Sequence, residues 1–120
     1  MRAKQKLSKS EVSVPEDRGG YQYIQISGYI FDPDGIDKLL AAYEKVKTAP
    51  CIRLDLRTAD WLTSLGVAAI ARIVAMSLDA QQGQLVHVLV KPDIKERYFD
   101  ERPWADGRVF TREEEIPMGR

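Results

Sequence analysis

The sequence holds one cysteine, Cys51, and one histidine, His87, among its 120 residues. A lone cysteine excludes an internal disulfide, and one histidine beside it makes neither a structural zinc set nor a supported Cys-His dyad. A Ser-His-Asp triad would have to use His87, which falls in the middle of an apolar run. Charge of one sign is also missing, because 18 Lys+Arg balance 18 Asp+Glu. Without a net field, direct binding of nucleic acid or docking on an acidic membrane is not expected. No long hydrophobic run occurs. Val67-Ala68-Ala69-Ile70-Ala71 meets Arg72 well short of the about 20 residues a membrane span needs. No glycine-rich phosphate loop exists either, since neither Gly19-Gly20 nor Gly66 has a nucleotide fingerprint around it. What is present is 44% hydrophobic and 30% charged, which a folded domain has and a disordered chain does not.

Residues 1–10 are basic and no apolar core follows, so they are expected to be a flexible, solvated tail and not a signal peptide, with a cytoplasmic location. The domain is expected to occupy residues 11–120. Glu11 to Pro15 has the weak alternation of an edge strand, and Asp17-Arg18-Gly19-Gly20 is a turn. It leads into Tyr21–Ile30, where Ile24, Ile26 and Ile30 share one face and Tyr21, Tyr23, Gln25 and Ser27 the other, giving an antiparallel pair.

Asp32-Pro33-Asp34-Gly35 ends that strand and opens a helix carrying Ile36, Leu39, Leu40, Tyr43 and Val46 at helical spacing. Cys51–Leu56 is the next strand, closed by the polar run Arg57-Thr58-Ala59-Asp60. A second helix is predicted from Ser64 to about Gln82, with Val67, Ile70, Ala71, Val74 and Leu78 as its buried stripe and Gly83 as its stop. Leu85–Val90 is apolar on both faces apart from His87, as a central parallel strand is. A third helix starts at Pro92-Asp93 and runs to about Asp100. Pro103–Gly107 is loop, Arg108-Val109-Phe110 a short strand, and Thr111-Arg112-Glu113-Glu114 a capping box for a last helical turn. The order β-β-α-β-α-β-α-β-α gives one α/β domain with a mixed four- to five-stranded sheet and crossover helices.

Chemistry concentrates where the Cys51 strand runs through a loop into the second helix. Ser64 is a natural N-cap, since its oxygen can accept from a free first-turn amide. The same place suits a phosphate, because a helix start carries unpaired N–H groups and partial positive charge. Trp61, beside the hydroxyl pair, is either core or an exposed anchor for a partner. His87 is expected to be a satisfied core or edge histidine. Asp32 and Asp34 are expected to do turn and cap chemistry.

This stretch, from Leu54-Asp55-Leu56 through Thr63-Ser64-Leu65-Gly66 into a helix of small and branched residues, resembles the STAS domain of the anti-sigma-factor antagonists. In that family the loop usually reads Asp-Ser-Ser/Thr-Gly. Counting without a gap from Asp55 places Thr63 at the family's Asp, Ser64 at its first Ser, Leu65 at the second hydroxyl and Gly66 at its Gly. The resemblance implies that Ser64 is the phospho-acceptor of a partner that is both anti-sigma factor and serine kinase, with Thr63 as the alternative acceptor. It also implies that Thr63, Ser64, Leu65 and Gly66 meet that partner, that phosphorylation releases it, and that the protein needs no cofactor. Trp61 joins the partner-binding set as the aromatic anchor, and the lack of a triad or metal set makes an enzyme or a metal site unexpected. Thr63 and Leu65 depart from the family's loop. Relatives that serve as scaffold subunits of stress-signalling assemblies or membrane transporters also carry variant loops, so an unphosphorylated scaffold is the alternative. The sequence leaves a homodimer or larger assembly open.

Overall fold

Residues 10–79 and 83–117 are described by the computed structural model, and they build one mixed sheet. Its parallel part consists of β3 (Gln22–Phe31), β4 (Cys51–Leu62), β5 (Leu85–Leu89) and β6 (Val109–Phe110), adjacent in that order. Two short strands, β1 (Glu11–Val12) and β2 (Glu16–Asp17), run antiparallel along the free side of β3, one after the other. The expected hairpin is therefore present, but its first arm is broken at Pro15, which has no N–H for the ladder. The Ser13 hydroxyl accepts from the Gln25 amide at 2.9 Å across that break. This split arm accounts for a sheet of six strands in place of four to five.

Helices α1 (Pro33–Val46), α2 (Ser64–Asp79) and α3 (Pro92–Tyr98) make the crossovers between parallel strands. Strand register sorts the sheet into two faces. Ile24, Leu54, Val88 and Val109 align across it and join the core with Leu39 of α1 and Val67, Ile70 and Val74 of α2. Their neighbours along the strands point the other way, so Tyr23, Arg53 and His87 form one row of the opposite face.

Several sequence expectations are corrected. Strand β4 does not end at Leu56 but continues through Arg57-Thr58-Ala59-Asp60 to Leu62. Gln25 pairs with Asp55 and Ser27 with Thr58, so a bulge puts an extra residue into β4 and breaks the alternation a strand would show. Ile30 is only half-buried, and Phe31 is the core residue at the end of β3. In α2, Leu78 is exposed and Ala71 half-buried, while Ile73 and Ser77 face inward. The predicted end of that helix near Gln82 lies outside the described residues. Helix α3 closes at Tyr98, and Pro103–Ala105 is a 3₁₀ turn. The last helical turn is 3₁₀ as well, over Glu113–Glu115. Its side chain reaching back to the Thr111 amide, at 3.2 Å, is Glu115 and not Glu114.

Residues 1–9, most of the expected tail, lie outside the described residues. Ser10, assigned to that tail from sequence, is buried, with its hydroxyl 2.7 Å from the Ile30 carbonyl.

Candidate functional site

The carboxyl ends of β3 and β4 feed directly into α1 and α2, the place where open α/β sheets present their binding surfaces. Both helix starts are built alike. Asp32 caps α1, its carboxylate accepting from the Gly35 amide at 3.1 Å. At α2 the cap is Thr63, whose hydroxyl accepts from the Gly66 amide at 2.9 Å and donates to the Phe31 carbonyl at 3.1 Å. The Thr63 carbonyl accepts the first helical bond, from Val67. The sequence expectation that Ser64 is the N-cap is therefore off by one residue. Either hydroxyl could cap from local sequence, and the neighbouring Phe31 carbonyl decides for Thr63.

Glycine at position 66 has a packing cause. A Cβ there would stand 2.7 Å from the Phe31 ring, so α2 can sit this close to β3 only without one. Phe31, fully buried, is thus the residue against which the turn is set, and sequence reasoning did not single it out. The signal that could have found it is the repeated cap-x-x-Gly spacing of Asp32–Gly35 and Thr63–Gly66 on either side of it.

The remaining residues of the turn face outward. Ser64 opens α2, is exposed, and its hydroxyl makes no hydrogen bond among the described residues. Leu65 is 61% exposed and Trp61 44% exposed. Thr63 is half-buried with its hydroxyl held at both ends, and Gly66 is buried. The structure thus brings Trp61, Ser64 and Leu65 to one end of the domain as exposed groups, with Thr63 and Gly66 beneath them as the support. Nearby, Lys91 at the end of β5 pairs with Asp60 at 2.8 Å.

A second polar cluster occupies the face of the sheet away from α1 and α2. Asp55, buried, accepts from the Tyr23 hydroxyl at 2.5 Å and from Arg57 through Nε at 3.0 Å and Nη2 at 2.8 Å. Burial works to raise the Asp55 carboxyl, but the Arg57 and Tyr23 hydrogen bonds outweigh it and hold the group below its usual range. Burial and the same hydrogen bond push Tyr23 up to about 12. Glu113 reaches Arg53 at 3.5 Å and Arg57 at 3.7 Å, tying the C-terminal turn to this face. His87 is buried edge-on to Phe110 and 3.8 Å from the Cys51 sulfur, as a core histidine. Burial raises the Cys51 thiol, so it is not a poised nucleophile. Among the described residues, no group of three or more His, Cys, Asp or Glu is placed to hold a metal, and no helix is long and apolar enough to cross a membrane.

Comparison with protein-family models and with curated proteins finds no match. Solved structures do match. An anti-sigma factor antagonist from Mycobacterium paratuberculosis superposes with a TM-score of 0.74 at 16% identity, covering 89% of this chain and 90% of that one. The anti-sigma factor antagonist SpoIIAA in its unphosphorylated form superposes with a TM-score of 0.65 at 18% identity, covering 88% of this chain and 90% of its own. The fold is that of the STAS domain. At these identities the likeness is one of backbone, and it extends over 88–89% of this chain. The Thr63–Gly66 turn is this STAS fold's connection from β4 to α2.

Proposed function

We propose that the protein is an anti-sigma factor antagonist: a binding module, not an enzyme, that captures an anti-sigma factor with serine-kinase activity through Trp61, Ser64 and Leu65. Ser64 is its phospho-acceptor. The observation that carries this reading is the division of labour between adjacent hydroxyls. Thr63 holds the turn, so Ser64 keeps a free, exposed hydroxyl at the first position of a helix. Phosphorylation there adds roughly −1.5 to −2 charges beside a helix start that tolerates them, so the fold survives. A partner that has desolvated Trp61 and Leu65 around the same spot does not tolerate them, and is released. Thr63, with its oxygen engaged twice, is the poorer acceptor.

The second reading, a permanently docked scaffold subunit, is favoured by one feature. Leu65 puts an exposed apolar side chain where the family has a small hydroxyl residue. Affinity capture of the full chain from its own cells, followed by intact-mass measurement, separates the two. A co-purifying kinase and a fraction of the chain heavier by one phosphate support the switch. A stable large complex whose copies of the chain are all unphosphorylated supports the scaffold.

A further inference from the structure

Helix α2 exposes apolar side chains beside α1 as well as burying them against the sheet. Of its 16 residues only Arg72 and Asp79 are charged, and on the side toward α1 Leu65 is 61% exposed with Ala68 exposed beside it. A helix that covers a sheet needs one apolar stripe, and apolar side chains left exposed beside it are available for a second contact. Between α1 and α2 runs an open groove of about 300 Å³ floored by Ile36, Leu40, Leu65 and Ala68, with Asp37 on the α1 rim and Arg72 on the α2 rim. Both rim charges are exposed, and among the described residues neither has an ion-pair partner.

We propose that this face binds a second copy of the same chain. An acid on one rim and a base on the other make the surface self-complementary, which is the requirement of a two-fold interface. With the two-fold axis running along the groove, α2 of each copy lies over α1 of the other. Arg72 then meets Asp37 of the second copy, and Asp37 meets its Arg72, so both pairs form at once. Helices of 14 and 16 residues are about 21 and 24 Å long, and at about 10 Å apart they offer on the order of 500 Å² per copy in projection. A standard stable interface takes about 800 Å² per partner, so this dimer exchanges with monomer. It covers Leu65 beside Ser64, so self-association and capture of another protein at that turn exclude each other.

Sedimentation velocity of the full chain over a concentration series tests this. The wild type is expected to move from 13.6 kDa toward twice that mass as concentration rises. Arg72→Asp or Asp37→Arg alone places like charges opposite each other twice and is expected to weaken the dimer about tenfold or more. Mixing the two single variants in equal amounts restores both pairs and is expected to bring the dimer back, as is the double variant. Circular dichroism of each variant confirms the fold, since both positions are exposed. A wild type that stays monomeric throughout overturns the proposal and assigns the face to a different partner. So do single variants that dimerise like the wild type, or a mixture that associates no better than its components.

Discussion

The Thr63 hydroxyl donates to the carbonyl of Phe31 at 3.1 Å, joining the start of α2 to the end of β3 while its oxygen caps the Gly66 amide. One side chain thereby fixes the turn from both strands. The hydroxyl next to it, on Ser64, is left to solvent.

The stability of the domain should therefore respond to Thr63 and not to Ser64. Thr63→Ala removes a cap and leaves a carbonyl without its donor, at a cost of about 1–2 kcal/mol, or several degrees in Tm. Thr63→Ser should keep most of that. Ser64→Ala, at an exposed site with no bond to lose, should stay within about 0.5 kcal/mol of wild type. Thermal melts of the three variants check the order. A larger loss from Ser64→Ala than from Thr63→Ala would mean that the wrong hydroxyl has been assigned as the cap.

Gly66→Ala should be destabilising although alanine is the better helix former. The added Cβ meets the Phe31 ring at 2.7 Å, and overpacking of that kind costs about 1–3 kcal/mol against a helix gain of about 0.5–1 kcal/mol. The loss should shrink when Phe31→Leu makes room. Denaturant titrations of the double-mutant cycle measure that coupling, and strictly additive losses would rule out the contact as the cause.

Most of this architecture is legible from residues alone. Tyr21–Ile30 and the Ile36–Val46 stripe follow their periods closely enough to give β3 and α1, and the short run Leu85–Val90, apolar on both faces, gives β5. The misses have local physical causes. The bulge beyond Asp55 puts Arg57-Thr58-Ala59-Asp60 out of alternation, so half of β4 looks like loop. In α2, alanines and branched residues lie on nearly every side, so the stripe through Leu78 and the one through Ile73 and Ser77 fit the letters equally well. The Ser64 cap failed because the deciding partner, Phe31, is 32 residues away.

His87 should give the folded protein an acid-side slope. Burial, with Arg53 and Arg108 nearby, lowers its pKa, so the unfolded chain binds a proton near pH 6.5 that the native state refuses until lower pH. The unfolded state then holds more protons, and stability falls as pH drops below about 6.5. No other histidine exists to share the effect. Chemical denaturation between pH 7.5 and about 5 should show that slope in wild type and lose it in His87→Gln. An unchanged slope would contradict the lowered pKa.

Asp55 acts in a lower window. Its carboxyl is held below its usual value by Arg57 and Tyr23 against the effect of burial, so its contribution is present above the unfolded pKa of about 3.9 and is lost as pH falls through the native one. Tyr23→Phe removes one of those donors and should cost about 1 kcal/mol at neutral pH, with the acid limb of unfolding shifted upward. A Tyr23→Phe acid midpoint equal to wild type would show that the 2.5 Å bond does not hold the carboxylate down.

The charge-gated surface at Ser64 is tested most directly by the affinity of the captured partner for Ser64→Ala and Ser64→Asp, measured side by side by titration. Both variants should melt close to wild type, because neither touches the Thr63 cap. Ser64→Ala should bind as wild type does. Ser64→Asp must desolvate an unpaired carboxylate between Trp61 and Leu65, which costs a few kcal/mol, or on the order of a hundredfold in affinity. Equal binding by Ser64→Asp and wild type would contradict the account, because the turn would then be a docking surface that charge does not control.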